Sequence, residues 1–186
     1  MGLRVEKTSI DGLLIFQPDR YADHRGYFSE TYNADSLRQH GVTTDFVQDN
    51  QSLSLKAGTV RGLHFQTPPF DQVKLVRALS GAIWDVAVDL RKSSPTYGQH
   101  FGLELTAKEG LQLYIPSGFA HGFCTLTDNT EVLYKVSAPY SKEHEGGIIW
   151  NDPDLSIPWP IAPESAILSE KDLVLPSLLS ITTYFE

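Results

Sequence analysis

Gly110-Leu111-Gln112-Leu113-Tyr114-Ile115-Pro116-Ser117-Gly118-Phe119-Ala120-His121-Gly122-Phe123 sets two glycines, a proline and a histidine at fixed intervals. Five residues separate Gly110 from Pro116, one separates Pro116 from Gly118, and two separate Gly118 from His121. The apolar run 111–115 reads as a strand and Pro116-Ser117-Gly118 as a tight turn, so the frame delivers His121 just beyond the turn. Outward from it, residues 13–17, 27–32, 73–78, 83–90, 101–106 and 131–137 are short and rich in Val, Ile, Leu, Tyr and Phe, and also read as strands. Turn signals at Ala57-Gly58, Ser80-Gly81, Ser94-Pro95, Glu109-Gly110 and Asp128-Asn129 separate them. That spacing predicts an all-β sandwich or jelly roll.

Alternation is clearest at 83–90, where Asp85, Ala87 and Asp89 share one face and Trp84, Val86 and Val88 the other. Two short helices are expected, at 34–40 before Gly41 and near 170–173, with Ser169 as cap of the second. The Pro-rich stretch 152–163 reads as an extended surface strap, and Trp150 and Trp159 need something to pack against.

The chain has 186 residues, 41% hydrophobic and 20% charged. That fits one domain over residues 1–186 with an ample core, without linker, repeat or low-complexity tract. No apolar run approaches the roughly 18 residues of a membrane span, and Arg4, Glu6, Lys7 and Asp11 interrupt any signal-peptide core, so a cytoplasmic protein away from membranes is expected. The single cysteine, Cys124, cannot form an internal disulfide and reads as a small buried hydrophobe. A net charge of -8 argues against nucleic-acid binding, which needs a Lys and Arg excess. It does not exclude a small phosphorylated ligand, because a local cation cluster acts through short charge-assisted hydrogen bonds.

The Gly110-to-His121 frame resembles the second motif of the cupin superfamily, which implies a cupin jelly roll. Metal-binding cupins carry two further histidines one residue apart, and a glutamate, in an earlier motif. Here Arg61-Gly62-Leu63-His64-Phe65-Gln66 offers His64, then Gln66 in place of the second histidine, with no glutamate near. Both histidines are then free for acid/base work, and no metal or other cofactor is expected. If Arg61, His64 and Lys74 converge, they place a base beside two cations, which suits proton removal next to a carbonyl whose oxygen becomes negative. Lys74 shares a strand face with Val76, and Val73, Leu75 and Arg77 take the other; Lys74 and Arg77 on a solvated face is the plainer alternative. Tyr134 reads as a core tyrosine or as a general acid whose pKa adjacent cations lower.

Ordered together, Arg25-Gly26-Tyr27-Phe28-Ser29-Glu30, Gln48-Asp49-Asn50-Gln51-Ser52, the Arg61-to-Gln66 frame, Lys74-Leu75-Val76-Arg77, Asp85 to Arg91, the Pro116-to-Phe123 frame, Tyr134-Lys135, Trp150-Asn151-Asp152-Pro153 and Ser169-Glu170-Lys171-Asp172 resemble the dTDP-4-dehydrorhamnose 3,5-epimerase family. The resemblance implies a metal-free cupin that inverts C3 and C5 of dTDP-4-dehydro-6-deoxy-D-glucose on the way to dTDP-L-rhamnose. It implies His64 as base, Tyr134 as acid, Lys74 as enolate stabiliser and Asp172 as the carboxylate orienting His64, with Asp85 the rival for that role or the partner of His121. It further implies that Arg25, Glu30, Gln48, Asn50, Arg61, Lys74, His121, Glu145 and Lys171 contact the nucleotide sugar and that Tyr140 stacks on thymine. A homodimer with exchanged N-terminal strands is implied too, so that Arg25 and Glu30 serve the neighbour's site. Asp71, at the mouth, is expected to weaken binding of an anion slightly. The competing readings are a 3-epimerase, a non-catalytic nucleotide-sugar-binding cupin, and a metal cupin using His64, His121 and Asp71.

Overall fold

In the computed structural model, which describes residues 2–182 and 185–186, thirteen strands and one short α-helix follow in chain order. They are β1 (Leu3–Lys7), β2 (Leu14–Pro18), β3 (Tyr21–Asp23), β4 (Gly26–Phe28), α1 (Ala34–Gln39), β5 (Gln48–Ser54), β6 (Val60–Gln66), β7 (Lys74–Ser80), β8 (Ala82–Asp89), β9 (His100–Thr106), β10 (Gln112–Ile115), β11 (Phe119–Thr125), β12 (Thr130–Val136) and β13 (Glu145–Gly147). One antiparallel sheet runs β1-β2-β10-β7-β12-β5 and a second β13-β6-β11-β8-β9, while β3 and β4 form a separate hairpin. The chain crosses repeatedly between the two sheets, which is the all-β jelly roll that the turn spacing predicts.

The alternation along β8 has its expected effect. Ala87 joins Leu113, Ile115, Phe119, Phe123, Val76 and Val132 in the layer between the sheets, and Asp85 on the same face is fully buried. Val86 and Val88 point the other way, into a second layer with Leu63, Ile148, Leu155, Leu178 and Phe185. The C-terminal stretch therefore wraps the outside of the second sheet. Fully burying side chains of this size contributes about 1.5–3 kcal/mol each. Asp152 anchors the wrap, accepting from the backbone N–H groups of Asp154 (2.8 Å) and Leu178 (2.7 Å). The tryptophans find their partners in each other and in Val60 and Cys124: the rings lie 6.0 Å apart and Trp159 Nε1 donates to the Trp150 carbonyl at 2.7 Å.

Helix α1 starts at an Asn33 cap whose side chain accepts from the N–H groups of Asp35 and Ser36, and the chain leaves the helix at Gly41 with φ +83°. Two expectations need correction. The strand expected at 27–32 shrinks to β4: Tyr27 and Phe28 are 57% and 61% exposed, with Arg20 stacked on the Tyr27 ring at 4.3 Å, and only Tyr32 turns inward, against Phe46. The helix expected near 170–173 is a single 3-10 turn, Asp172–Val174, whose cap position is Lys171 rather than Ser169, although Ser169 Oγ accepts from Asp172 N at 3.2 Å.

Candidate active site

A cavity of about 540 Å³ opens between the two sheets. Strand β5 lines it with Gln48, Asn50 and Ser52, β6 with Arg61 and His64, β7 with Lys74, β11 with His121 and β12 with Tyr134. Glu145 reaches it from the start of β13, and Tyr140, Lys171 and Asp172 from the segments between and beyond the last strands. Arg25 and Glu30 do not: Arg25 is bound to Asp23 at 2.6 Å in the exposed hairpin, and Glu30 accepts from Asn33 Nδ2 at 3.1 Å. The other catalytic and binding residues implied by the resemblance line this one cavity, whereas Asp71 and Asp85 do not.

The two motif histidines are register partners on β6 and β11. The glycines beside them make that pairing possible. A Cβ on Gly62, which has φ +121°, would stand 2.5 Å from Gly122 Cα and 2.7 Å from the His121 carbonyl oxygen, so the strands approach only because both positions lack side chains.

Each histidine holds its own aspartate. His64 Nε2 lies 2.6 Å from Asp172 Oδ1, and His121 Nε2 lies 2.7 Å from Asp85 Oδ1. The choice the sequence left open is thus resolved in space: Asp172 meets His64, and Asp85 meets His121. Burial pushes the Asp172 carboxyl up, but the hydrogen bond and charge of His64, with Ser169 and Lys171, outweigh it and leave it below the usual carboxylate value. An ionised Asp172 can only accept, so Nε2 of His64 donates to it, and in the neutral ring this leaves Nδ1 as the acceptor. Burial lowers the His121 pKa, against the opposing pull of Asp85, so that ring is neutral at pH 7.

Lys74 is buried between the sheets, and its Nζ donates to the His64 carbonyl at 3.4 Å. Burial brings its pKa down to about 8, with Asp85 and Glu145 resisting the fall. Tyr134 departs from expectation. Burial raises its pKa and the Arg61 charge only partly offsets this, so the phenol is held protonated rather than eased toward phenolate. At the mouth, Glu145 pairs with Lys171 and accepts from Tyr140 Oη at 3.1 Å.

Gln66 fills the position where a metal cupin has its second histidine, and it has a different task. Its amide donates to the carbonyls of Phe70 (2.6 Å) and Pro139 (3.1 Å) and accepts from Ser141 N (2.7 Å), which clamps the loop that carries Tyr140. The sequence signalled this residue only as a departure from the metal motif. Asp71 is also reassigned: it accepts from Ser117 Oγ and braces the Pro116-Ser117-Gly118 turn, and it is not among the cavity's lining residues. Among the described residues no three His, Cys, Asp or Glu side chains gather into a metal-ligating group.

The family model for dTDP-4-dehydrorhamnose 3,5-epimerase matches residues 7–180. The chain belongs to the dTDP-4-dehydrorhamnose 3,5-epimerase family. A family member from Sinorhizobium fredii is 48% identical over 181 residues, covering 97% of this chain and 92% of that protein. The crystal structure of the Bacillus anthracis epimerase with TDP and PPi bound superposes with a TM-score of 0.93 at 50% identity, covering 95% of this chain and all of that one. A Legionella pneumophila epimerase in complex with dTDP-4-keto-L-rhamnose also gives 0.93, at 42% identity, covering 97% of this chain and 95% of that one. The epimerase family's cupin jelly roll is thus the fold of this chain. Among the described residues no helix is long and apolar enough to cross a membrane.

Proposed function

We propose that this protein inverts C3 and C5 of dTDP-4-dehydro-6-deoxy-D-glucose, giving dTDP-4-dehydro-L-rhamnose, with side chains alone carrying the protons. One observation carries the reading: His64 and Tyr134 line the same cavity from opposite sheets, β6 in one and β12 in the other. His64 Nδ1 takes the proton from a carbon next to the C4 ketone, and the electron pair moves onto the C4 oxygen. Lys74 neutralises that oxygen while cationic, and Asp172 stabilises the imidazolium that forms. Tyr134, kept protonated by burial, returns a proton to the opposite face of the carbon. Removal from one face and return to the other is what inversion requires.

Arg61, Gln48 and Asn50 serve the diphosphate and sugar, His121 accepts from a sugar hydroxyl, and the cluster of Tyr140, Glu145 and Lys171 receives the nucleoside at the mouth. The protein acts as a homodimer, in which the exposed hairpin β3–β4 brings Arg25 and Glu30 to the neighbour's cavity; the uncovered Tyr27 and Phe28 support this. It works in the cytoplasm, since a nucleotide diphosphate does not cross a bilayer unaided.

Incubation of the purified protein with dTDP-4-dehydro-6-deoxy-D-glucose, with the ring configuration followed by NMR coupling constants, tests the reaction. A product inverted at both centres supports it. Inversion at C3 alone makes this a 3-epimerase, and an unchanged sugar overturns catalysis altogether.

A further inference from the structure

Tyr140 stands at the rim of the cavity, 58% exposed, in a stretch, 137–141, where no residue is buried and none joins an apolar cluster. Hydrogen bonds must therefore hold this rim in place of a packed layer. They converge on one side chain. Gln66, at the end of β6 and 5% exposed, donates through Nε2 to the Pro139 carbonyl at 3.1 Å and accepts through Oε1 from Ser141 N at 2.7 Å. Those two bonds grip the backbone on either side of Tyr140. The other amide hydrogen goes to the Phe70 carbonyl at 2.6 Å and ties the rim to the loop 67–73.

The remaining bonds of the rim act at its ends. Gln72 Nε2 donates to the Ala138 carbonyl at 2.8 Å and Val73 N to Ser137 Oγ at 2.9 Å, while Ser141 Oγ meets His144 Nδ1 at 2.7 Å. The His144 ring in turn packs on Phe70, 4.7 Å between centroids. Among the described residues only Gln66 bonds both neighbours of Tyr140. A neutral imidazole at position 66 brings one donor and one acceptor, too few for all three of these bonds, so the residue that stands at the cupin metal-ligand position is suited to the clamp. A rim released from it binds only while the ring is in place, and the apparent affinity falls by that fraction.

Resting on the reading above, in which the mouth receives the nucleoside, we propose that Gln66 is a positioning residue for nucleobase recognition. It acts on the base through Tyr140, whose exposed ring it holds in place for the flat base to pack against. Its effect falls on binding rather than on proton transfer, because the base does not react.

The test is a double-mutant cycle on dTDP affinity by calorimetry, with wild type, Gln66→Met, Tyr140→Ala and the double variant, beside steady-state kinetics on dTDP-4-dehydro-6-deoxy-D-glucose. Tyr140→Ala is expected to weaken dTDP about 10- to 100-fold, the usual worth of a base stacked on an aromatic ring. Gln66→Met, of similar length but without the amide, should weaken it about tenfold and raise KM more than it lowers kcat. In the Tyr140→Ala background the same change should cost less than about twofold, because the ring it positions is gone. Gln66→Glu, which keeps the acceptor for Ser141 N and loses both donors, should act in the same direction and serves if Gln66→Met does not fold. Wild-type affinity in the Gln66 variants would overturn the proposal, and so would an equal loss in both backgrounds, the mark of a merely structural clamp. Unchanged affinity in Tyr140→Ala would overturn the assignment of the mouth to the nucleoside and the proposal with it. Wild-type protein that neither converts nor binds the sugar nucleotide would instead overturn the epimerase reading itself.

Discussion

The two histidine–aspartate pairs of the cavity look alike on paper and differ in every physical respect that matters to a proton. In the first, the His64 side chain is 31% exposed and its aspartate belongs to a 3-10 turn of the C-terminal wrap. In the second, His121 is 6% exposed, Asp85 is wholly buried, and both stand on neighbouring strands of one sheet. The second Asp85 oxygen has no hydrogen-bond partner among the described residues. The first pair is open to solvent on its histidine side; the second is closed off, and burial lowers the His121 pKa against the pull of Asp85. In the proposed reaction identical chemistry thus serves as a base in one place and as a binding and electrostatic element in the other, and the exposure of the histidine, not of its buried aspartate, separates the two.

The sharpest way to break this comparison is to delete each ring. His64→Ala should lower kcat by about 10² to 10⁴, the usual contribution of a general base, whereas His121→Ala should act more on KM. Equal effects on kcat would erase the distinction. Removing the partners should show the same asymmetry at smaller size. Asp172→Asn frees the His64 tautomer and should lower kcat, by less than His64→Ala does. Asp85→Asn should be read in the pH profile. Lys74 is cationic below about pH 8 and neutral above it, so kcat/KM should fall as pH rises through that value. Asp85 and Glu145 hold that limit up, so Asp85→Asn should move the alkaline limb to lower pH, while Asp172→Asn leaves it in place; a limb that stays fixed in Asp85→Asn removes Asp85 from the role of counter-charge. Tyr134→Phe should spare solvent exchange at C3 more than net inversion, and equal loss of both would make the phenol structural. The smallest expected effect is that of exhaustive chelation, which should leave turnover unchanged; activity lost and then restored by one metal ion would revive the metal-cupin reading.

Much of this was legible in the chain, and the exceptions have physical causes. Strand β8 announced itself because one face meets the inner layer and the other the C-terminal wrap, so its alternation survives even though both faces are buried. Strands β6 and β11 read as motifs rather than strands: every residue of β11 is buried, which erases alternation, and glycines occupy the positions of closest approach. Strand β5 was also hidden, since Gln48, Asn50 and Ser52 alternate toward a polar cavity instead of a core. The aspartate partners could not be separated, because the pairing of His64 with Asp172 spans 108 residues and depends on how the C-terminal wrap returns to β6. The shift of Tyr134 was misjudged for a related reason: Arg61 is near enough to act, as expected, but burial acts more strongly.

In the proposed reaction a base on one sheet and an acid on the facing sheet exchange protons with a single sugar ring. Incubating wild-type protein and Tyr134→Phe with dTDP-4-dehydro-6-deoxy-D-glucose in D₂O, and following deuterium at each ring carbon by NMR and mass, tests it most directly. Deuterium at both C3 and C5 with inversion is expected in the wild type, and exchange at C3 outlasting inversion in Tyr134→Phe. Nucleotide-sugar binding without exchange at either carbon would contradict it.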